Sequence, residues 1–232
     1  MYNIKNFSDF FLLESAQNDS LRKKYGITDE EWEACRLNPE GKIPENMKQY
    51  FSGEKAKSLV SKLCRYVSTG IFGDPAHIAS FMERVSKVES CYGTNPSTYT
   101  RSSFTKGIFQ LDKASSLATI GYQGKSPDGN ELLKKYINEC RSIVKSKVGL
   151  SWDMVPYSNI AKPLYNVIAA RIFIGVKIRS YNYDKKTGKL TEIKHPIPTD
   201  LNGQAKWWKS RYNTKAGGGS EANFKNPPGC SI

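Results

Sequence analysis

The sequence holds few of the residues on which nucleophilic or metal-dependent enzymes rely. It contains two histidines, His77 and His195, and neither lies in a recognisable nucleophile motif with a serine or cysteine. The zinc motif HExxH, the phosphate-binding P-loop and the dinucleotide motif GxGxxG are all absent. A Ser-His-Asp triad assembles in space, so residue order does not exclude one, but nothing in the sequence favours it. We expect neither a metal ion nor a cofactor.

The cysteines also fail to form a recognisable framework. They are scattered, odd in number and without a CxxC pair: Cys35, Cys64, Cys91, Cys140 and Cys230. This pattern predicts neither a zinc site nor a set of disulfides. It is typical of free thiols, buried or loosely packed, in a protein made in a reducing cytoplasm.

Long hydrophobic runs are missing as well. The most apolar stretch, Val167 to Ile178, is interrupted by Arg171 and Lys177 and falls short of the length that a transmembrane helix needs. The N-terminal segment lacks the ordered basic, apolar and small-residue regions of a signal peptide. We therefore expect a protein made in the cytoplasm without its own export signal.

What the sequence has in excess is positive charge. Lysine and arginine outnumber aspartate and glutamate by 35 to 22, which gives a formal net charge of +13. Such a surplus attracts anionic partners, and nucleic acid, anionic lipid surfaces and the bacterial cell wall all qualify. The rest of the composition, 38% hydrophobic and 25% charged residues in a chain of 232, is that of a globular protein with a core.

The spacing of apolar residues predicts a mainly α-helical protein in two parts. Residues 1–52 are expected to form a short helical appendage, in which Thr28 and Glu31 make a capping box. Residues 53–232 are expected to form the main domain, and its polar segment 181–200 is interpreted as an insertion with a hairpin turn at Asp184–Gly188. Helical periodicity is found in this domain at 54–68, 131–148, 163–179 and 204–212.

The most informative predicted helix leads to Glu89. Asp74 is a good N-cap, and Pro75 suits the first helical position. Glu89 shares a face with the apolar stripe, whereas Glu83 lies one residue off it and is interpreted as a solvated charge. The stripe consists of Ile78, Phe81, Met82, Val85 and Val88. A carboxylate on such a stripe is unusual, and its desolvation predicts a raised pKa.

Three short motifs carry a resemblance to a known family. They are Glu89-Ser90, then the segment Gly107-Ile-Phe-Gln-Leu-Asp112, and finally Tyr212-Asn213, with Ala216-Gly217 two places further along. In this order they resemble the lysozyme-like family of lytic transglycosylases and goose-type lysozymes, which have a Glu-Ser at a helix end, a Gly-Leu-Met-Gln segment and an Ala-Tyr-Asn-Ala-Gly segment. The chain departs from the third motif, because Thr214 and Lys215 separate the Asn from the Ala-Gly pair.

The resemblance implies both a fold and an activity. The fold is a lysozyme-like helical domain with a small β element between the Glu89 helix and Gly107. The activity is cleavage of the β-1,4 bond between N-acetylmuramic acid and N-acetylglucosamine of bacterial peptidoglycan, with Glu89 as general acid and without metal or cofactor. A carboxylic acid still protonated near neutral pH is what such cleavage requires. The residues expected to bind substrate are Ser90, Gln110, Tyr212, Asn213 and Tyr99.

Asp112 decides between two mechanisms. If it faces the cleft, it can activate water as the second carboxylate of an inverting lysozyme. If it caps the helix expected near Lys113, Glu89 serves alone, and the N-acetyl or 6-hydroxyl group of the substrate assists and yields an anhydro-sugar.

Two other functions fit the same sequence: a chitinase-like glycosidase, and an inactive basic protein on a lysozyme-like fold that binds the wall or nucleic acid. The setting we expect is a phage, either as an endolysin that reaches the periplasm or as an enzyme carried in the particle beside other phage proteins. We expect a monomer.

Overall fold

The computed structural model of the protein describes residues 16–95, 98–99, 105–120, 131–213 and 218–232. These segments are mainly helical, as predicted. The α-helices are α1 (Ala16–Lys24), α2 (Asp29–Ala34), α3 (Gly53–Arg65), α4 (Ala76–Ser90), α5 (Lys113–Ile120), α6 (Glu131–Val148), α7 (Pro163–Lys177), α8 (Leu201–Trp207) and α9 (Glu221–Lys225). Short 3₁₀ helices lie at Glu45–Phe51, Trp152–Met154 and Tyr157–Ala161, and π-helical turns at Tyr66–Ile71 and Trp208–Tyr212. Of the helices in these segments, none has the length and apolar character that a membrane crossing requires.

Two small antiparallel hairpins accompany the helices in the described segments. Strands β1 (Thr105–Lys106) and β2 (Leu111–Asp112) pair around the turn Gly107–Gln110, so that this hairpin encloses the motif. Of the segment expected to hold the β element, residues 96–97 and 100–104 lie outside the described residues. Strands β3 (Arg179–Asp184) and β4 (Lys189–Lys194) form the hairpin predicted within 181–200. Its turn is also confirmed, since the Asp184 carboxylate accepts from the Lys186 N–H at 2.8 Å and Gly188 has a φ of +67°.

The core is built around α7. Leu164, Val167 and Ile168 are fully buried, and α3, α5 and α6 pack against this helix. Each buried side chain of this size contributes about 1.5–3 kcal/mol through the hydrophobic effect. Ile27 and Trp32 belong to the same core, so the described part of residues 1–52 packs directly on the main domain.

Glu31 holds the described part of the appendage in place through two interactions. It completes the predicted capping box, because its carboxylate accepts from the Thr28 N–H at 2.9 Å while the Thr28 hydroxyl accepts from the Glu31 N–H at 3.2 Å. It also pairs with Lys62 of α3 at 2.6 Å. A largely buried carboxylate is stable only when its charge is matched in this way.

The start of α4 differs from the prediction. The helix begins at Ala76, Pro75 has an extended backbone at the N-cap position, and Asp74 does not cap it. The Asp74 carboxylate instead accepts from Arg171 of α7 at 2.6 Å and from the Ser68 hydroxyl at 2.7 Å. The reason is electrostatic: the guanidinium of Arg171 is almost fully buried, and leaving it without a counter-charge would cost more than an uncapped helix end.

The expectation that all cysteines are free thiols is wrong for one pair. Cys91 and Cys230 form a disulfide with a Cα–Cα distance of 5.3 Å, whereas Cys35, Cys64 and Cys140 are free and buried. The two partners are 139 residues apart in sequence. They meet because α9 packs against both α4 and α8, a long-range arrangement that cysteine spacing does not reveal.

We expect loss of this disulfide to lower the free energy of unfolding by about 2–5 kcal/mol, because the bond restricts a long loop of the unfolded chain. Urea unfolding of the wild type and of Cys91→Ser/Cys230→Ser, each with and without reductant, measures the effect. Reductant should shift the wild-type midpoint to that of the double variant and leave the double variant unchanged. Equal shifts in both proteins would assign the effect to something other than this bond.

Candidate active site

Glu89 borders a pocket of about 130 Å³ between the end of α4, the Gly107–Gln110 turn, α7 and the π-helical turn Trp208–Tyr212. Most of the residues singled out in the sequence meet here, although they come from three separate motifs. The lining consists of Glu89, Gln110, Leu111, Asp112, Ser115, Phe173, Tyr212 and Asn213. Phe173 and Ser115 were missed: Phe173 lies within the most apolar stretch of the sequence, and Ser115 belongs to none of the three motifs.

The carboxyl group of Glu89 has an unusual environment. Burial removes water from around it and raises its pKa to about 7, while the neighbouring indole of Trp208 acts in the opposite direction. The N–H of that indole is buried and makes no hydrogen bond of regular geometry within the described part of the chain, so it acts on Glu89 as a nearby dipole. Because of the raised pKa, Glu89 is available near neutral pH both as the acid, which donates a proton, and as the carboxylate, which accepts one.

Glu83 shows that a perturbed carboxyl group is not by itself a site. Contrary to the expectation of a solvated charge, its side chain is only 30% exposed and lies 3.9 Å from Arg65. Burial raises its pKa as well. It does not line the Glu89 pocket, so the position of Glu89 beside other polar groups distinguishes the two residues.

Ser90 connects α4 to the Gly107–Gln110 turn. Its buried hydroxyl donates to the carbonyl of Ile108 at 2.6 Å and accepts from the N–H of Gly93 at 2.8 Å. Ser90 was expected to bind substrate. In the structure it lies beneath the pocket wall and positions the turn relative to Glu89.

Asn166 of α7 holds the same turn from the other side. Its side-chain oxygen accepts from the N–H of Phe109 at 2.8 Å, and its Nδ2 donates to the carbonyl of Ile160 at 2.9 Å. Gly107, with a φ of +68°, lies directly against this amide: a Cβ on Gly107 would come within 2.5 Å of Nδ2. Asn166 was not singled out in the sequence, although a fully buried amide in the most apolar helix is the kind of signal that marks such a clamp.

Gln110 closes the turn in a left-handed backbone conformation, with a φ of +47°. Its amide donates to the carbonyl of Gly107 at 2.7 Å and accepts from the hydroxyl of Thr105 at 3.0 Å. Cys91 and Tyr92 are the other non-glycine residues of the described segments with positive φ. Such conformations cost about 1–3 kcal/mol each and concentrate at functional sites, and all three lie within or next to this one.

Asp112 lies at the exposed rim of the pocket and caps α5. Its Oδ1 accepts from the N–H of Ser115 at 2.6 Å, and α5 begins at Lys113 as predicted. This hydrogen bond is the one expected of an N-cap side chain.

Tyr212 and Asn213 form the wall opposite Glu89. The Tyr212 hydroxyl donates to the carbonyl of Phe109 at 3.1 Å, and its ring packs edge-on against Phe173 at 5.6 Å. Burial, together with the charges of Glu89 and Asp112, raises the pKa of Tyr212 well above its usual range, so that its hydroxyl stays protonated. Residues 216 and 217 of the third sequence motif lie outside the described residues.

Two other expected or possible site residues lie elsewhere. Tyr99 packs edge-on against Phe51 at 6.3 Å and does not line the pocket. His195, at the base of the β3–β4 hairpin, has its Nε2 2.8 Å from the Ser180 hydroxyl, and its carbonyl accepts from the Trp207 indole at 2.9 Å. Within the described residues, no group of three or more His, Cys, Asp or Glu side chains is arranged to hold a metal ion.

Comparisons of the chain with protein-family models, with curated proteins and with solved structures found no match. The chemistry of the pocket therefore has to be interpreted from its own residues.

We expect Gly107→Ala to disrupt the site, because the new Cβ would collide with Asn166 in addition to the strain of its positive φ. Gly188→Ala is the matched control, since Gly188 has nearly the same φ, +67°, with nothing within 4 Å of a Cβ. Thermal unfolding should show a larger loss for Gly107→Ala than for Gly188→Ala, which carries the backbone strain alone, and catalytic assays should show a loss for Gly107→Ala only. Equal losses of stability and activity in both variants would mean that backbone strain alone, and not the collision with Asn166, causes the effect.

The burial of Glu89 should make stability depend on pH. The folded-state pKa is raised from 4.5 to about 7, so the folded protein binds this proton more tightly than the unfolded chain. The free energy of unfolding that this bound proton contributes is fully present below pH 4.5 and is lost as the pH rises through 7. Because Gln does not titrate, the stability of Glu89→Gln relative to wild type should increase by up to about 3 kcal/mol between pH 4 and pH 8.

Chemical denaturation of both proteins across this range measures the difference. Glu54→Gln, the same substitution at an exposed position, should show no comparable trend. A constant difference between Glu89→Gln and wild type at all pH values would contradict the raised pKa.

Proposed function

We propose that this protein cleaves the β-1,4 glycosidic bond between N-acetylmuramic acid and N-acetylglucosamine of bacterial peptidoglycan, with Glu89 as the general acid. A lysozyme-like fold is part of this proposal, and its support is the order of the three motifs along the chain. The observation that carries the proposal is the pocket itself, in which a carboxyl group with a pKa of about 7 lies beside Gln110, Tyr212 and Asn213.

The environment of Glu89 suits the first step of glycoside cleavage. In this step Glu89 donates its proton to the glycosidic oxygen, the bond from that oxygen to C1 breaks with its electron pair going to the oxygen, and the sugar develops oxocarbenium character. A raised pKa keeps the proton available at neutral pH. The Trp208 indole near the carboxyl group stabilises the anion that remains.

The second step depends on which group attacks C1. Asp112 accepts a backbone hydrogen bond at the start of α5, and this role makes it a poor base for activating water. We therefore favour a lytic transglycosylase, in which the substrate completes the reaction. Its 6-hydroxyl oxygen bonds to C1 while the hydroxyl proton passes to Glu89, so that a 1,6-anhydro ring closes and the acid is regenerated without consuming water.

The proposed setting is a phage enzyme that acts on the wall as a monomer, either after release into the periplasm or from the particle. The net charge of +13 supports attraction to an anionic wall. The Cys91–Cys230 disulfide supports action outside a reducing cytoplasm.

We expect Glu89→Gln to abolish wall cleavage while the fold persists, because the amide keeps the shape and cannot donate the acid proton. The loss in kcat should be on the order of 10²-fold or more. Glu83→Gln is the matched control: it lies on the same helix, is also partly buried and also has a raised pKa, and it should retain most of the activity. In the wild type, kcat should fall as the pH rises above about 7, since Glu89 loses its proton there.

Release of soluble fragments from purified peptidoglycan, followed by mass spectrometry, measures these effects. Retained cleavage in Glu89→Gln, or an equal loss in Glu83→Gln, would remove Glu89 from this role. Cleavage of chitin oligomers but not of peptidoglycan would redirect the proposal to a chitinase-like enzyme.

The role of Asp112 gives a separate prediction. Asp112→Asn should keep the cap of α5, because asparagine caps a helix about as well as aspartate, and should therefore keep most of the activity and leave 1,6-anhydro ends in the products. Mass spectrometry distinguishes these ends, which are lighter by one water than hydrolysed ends. Reducing ends, together with a large loss of activity at unchanged thermal stability, would instead make Asp112 the base of an inverting lysozyme.

A further inference from the structure

A second pocket lies one helical turn along α7 from the Glu89 pocket. It has a volume of about 510 Å³, and we call it the basic pocket because three of its lining side chains are Lys177, Arg179 and Arg211. Tyr181 and Ser210 are its other polar lining residues, and the rest of the lining is apolar. Among the described residues that line it, none is acidic. Its lining is thus complementary to an anion.

The two pockets are neighbours because the same two elements wall both of them. On α7, Phe173 lines the Glu89 pocket and Lys177 lines the basic pocket, a spacing of about 6 Å along the helix axis. In the π-helical turn, Tyr212 faces the former and Arg211 the latter. A polymer bound at Glu89 therefore has the basic pocket within reach of its substituents.

Arg179 is held in a fixed position at the edge of the basic pocket. Its guanidinium stacks on the ring of Tyr136 at 3.7 Å and donates to the carbonyl of Gly175 at 2.6 Å. Its Nε is 2.9 Å from the carboxylate of Glu192. Arg179 is therefore preorganised, and Glu192 offsets a large part of its charge.

Lys177 and Arg211 supply the uncompensated charge. Lys177 lies over the ring of Phe173 at 4.9 Å, and Arg211 donates to the backbone carbonyl of Lys177 at 3.5 Å. Neither forms an ion pair with any residue in the described segments of the chain. The carboxyl end of α7 favours cations here, but two neighbouring like charges repel each other, and a bound anion would relieve this repulsion.

Tyr181 supplies an unused hydrogen-bond donor. Its hydroxyl is buried and has no partner among the described residues, and burial raises its pKa, which keeps it protonated. Buried polar groups are almost always hydrogen-bonded in folded proteins. Because Tyr181 lines the basic pocket, a rotation of its ring toward an acceptor bound there would satisfy this hydroxyl.

We propose that the basic pocket binds an oxyanion, a carboxylate or a phosphate, carried by the polymer whose glycan strand occupies the Glu89 pocket. Lysine and arginine recognise both groups through charge-assisted hydrogen bonds. The identity of the polymer rests on the function proposed above, whereas the oxyanion site rests on the residues of the basic pocket. In a bacterial wall the two sources are the carboxylates of the peptide stems and the phosphates of secondary wall polymers.

The test starts from Glu89→Gln, which should bind the wall without cutting it. Lys177→Gln/Arg211→Gln is added to this background, and Lys185→Gln/Lys186→Gln in the exposed β3–β4 turn is the control, because it removes the same charge away from the basic pocket. Binding to purified sacculi is measured by co-sedimentation at about 0.15 M salt, where long-range attraction is largely screened. We expect about tenfold weaker binding for the basic-pocket variant and little change for the control.

Two kinds of sacculi distinguish the sources. If the basic-pocket variant binds more weakly than its Glu89→Gln parent even to sacculi stripped of phosphate polymers, the pocket recognises the peptide carboxylates. If the variant binds more weakly only to unstripped sacculi, the pocket recognises the phosphates. Equal weakening in both double variants, or none in either, overturns the proposal.

Titration of the wild type with sodium acetate and with inorganic phosphate, followed by NMR, tests the oxyanion site independently of any wall. Saturable chemical-shift changes at Tyr181 that disappear in Lys177→Gln/Arg211→Gln support the oxyanion site. If these changes are seen but sacculi are neither bound nor cut, the proposed function is wrong and the oxyanion site still stands. Absence of such shifts with both anions overturns the oxyanion site.

Discussion

The arrangement of the site depends on one buried hydroxyl, that of Ser90. It joins the last turn of α4 to the carbonyl of Ile108 and to the N–H of Gly93, and so fixes the distance between Glu89 and the turn Gly107–Gln110. From the opposite side Asn166 holds the same turn on α7. With the turn fixed by both, the carbonyl of Phe109 is in place to accept from the Tyr212 hydroxyl. A series of hydrogen bonds that begins at Ser90, the residue after Glu89, thus positions the other pocket residues around Glu89.

The site is costly for the fold. A buried carboxyl group at Glu89 and left-handed backbone at Cys91, Tyr92 and Gln110 oppose folding, each by about 1–3 kcal/mol. These costs are comparable to a large part of the net stability of an ordinary domain. They are offset by the apolar packing around α7 and by the disulfide at the end of α4.

Local sequence signals predicted the local structure well. Apolar periodicity placed α6 and α7, the capping box of Thr28 and Glu31 was correct, and the turn at Asp184–Gly188 follows from its residue types. The stripe of α4 also predicted that Glu89 would be desolvated. What the sequence could not show depends on which distant segments meet: the partner of Cys91, the counter-charge of Arg171, and the contribution of Phe173 to the pocket. Asp74 was assigned to the nearest helix start because the buried cation that binds it lies 97 residues further along the chain.

The Cys91–Cys230 bond also changes the topology of the chain, because it closes a covalent ring that begins two residues after Glu89 and ends near the C-terminus. Gln110, Phe173 and Tyr212 all lie on this ring. A protease that cuts once at any point on it, for example in the exposed turn at Lys185–Lys186, produces a nicked molecule in which both fragments remain attached. The wall of the pocket thereby keeps its covalent connection to Glu89 after a single cleavage.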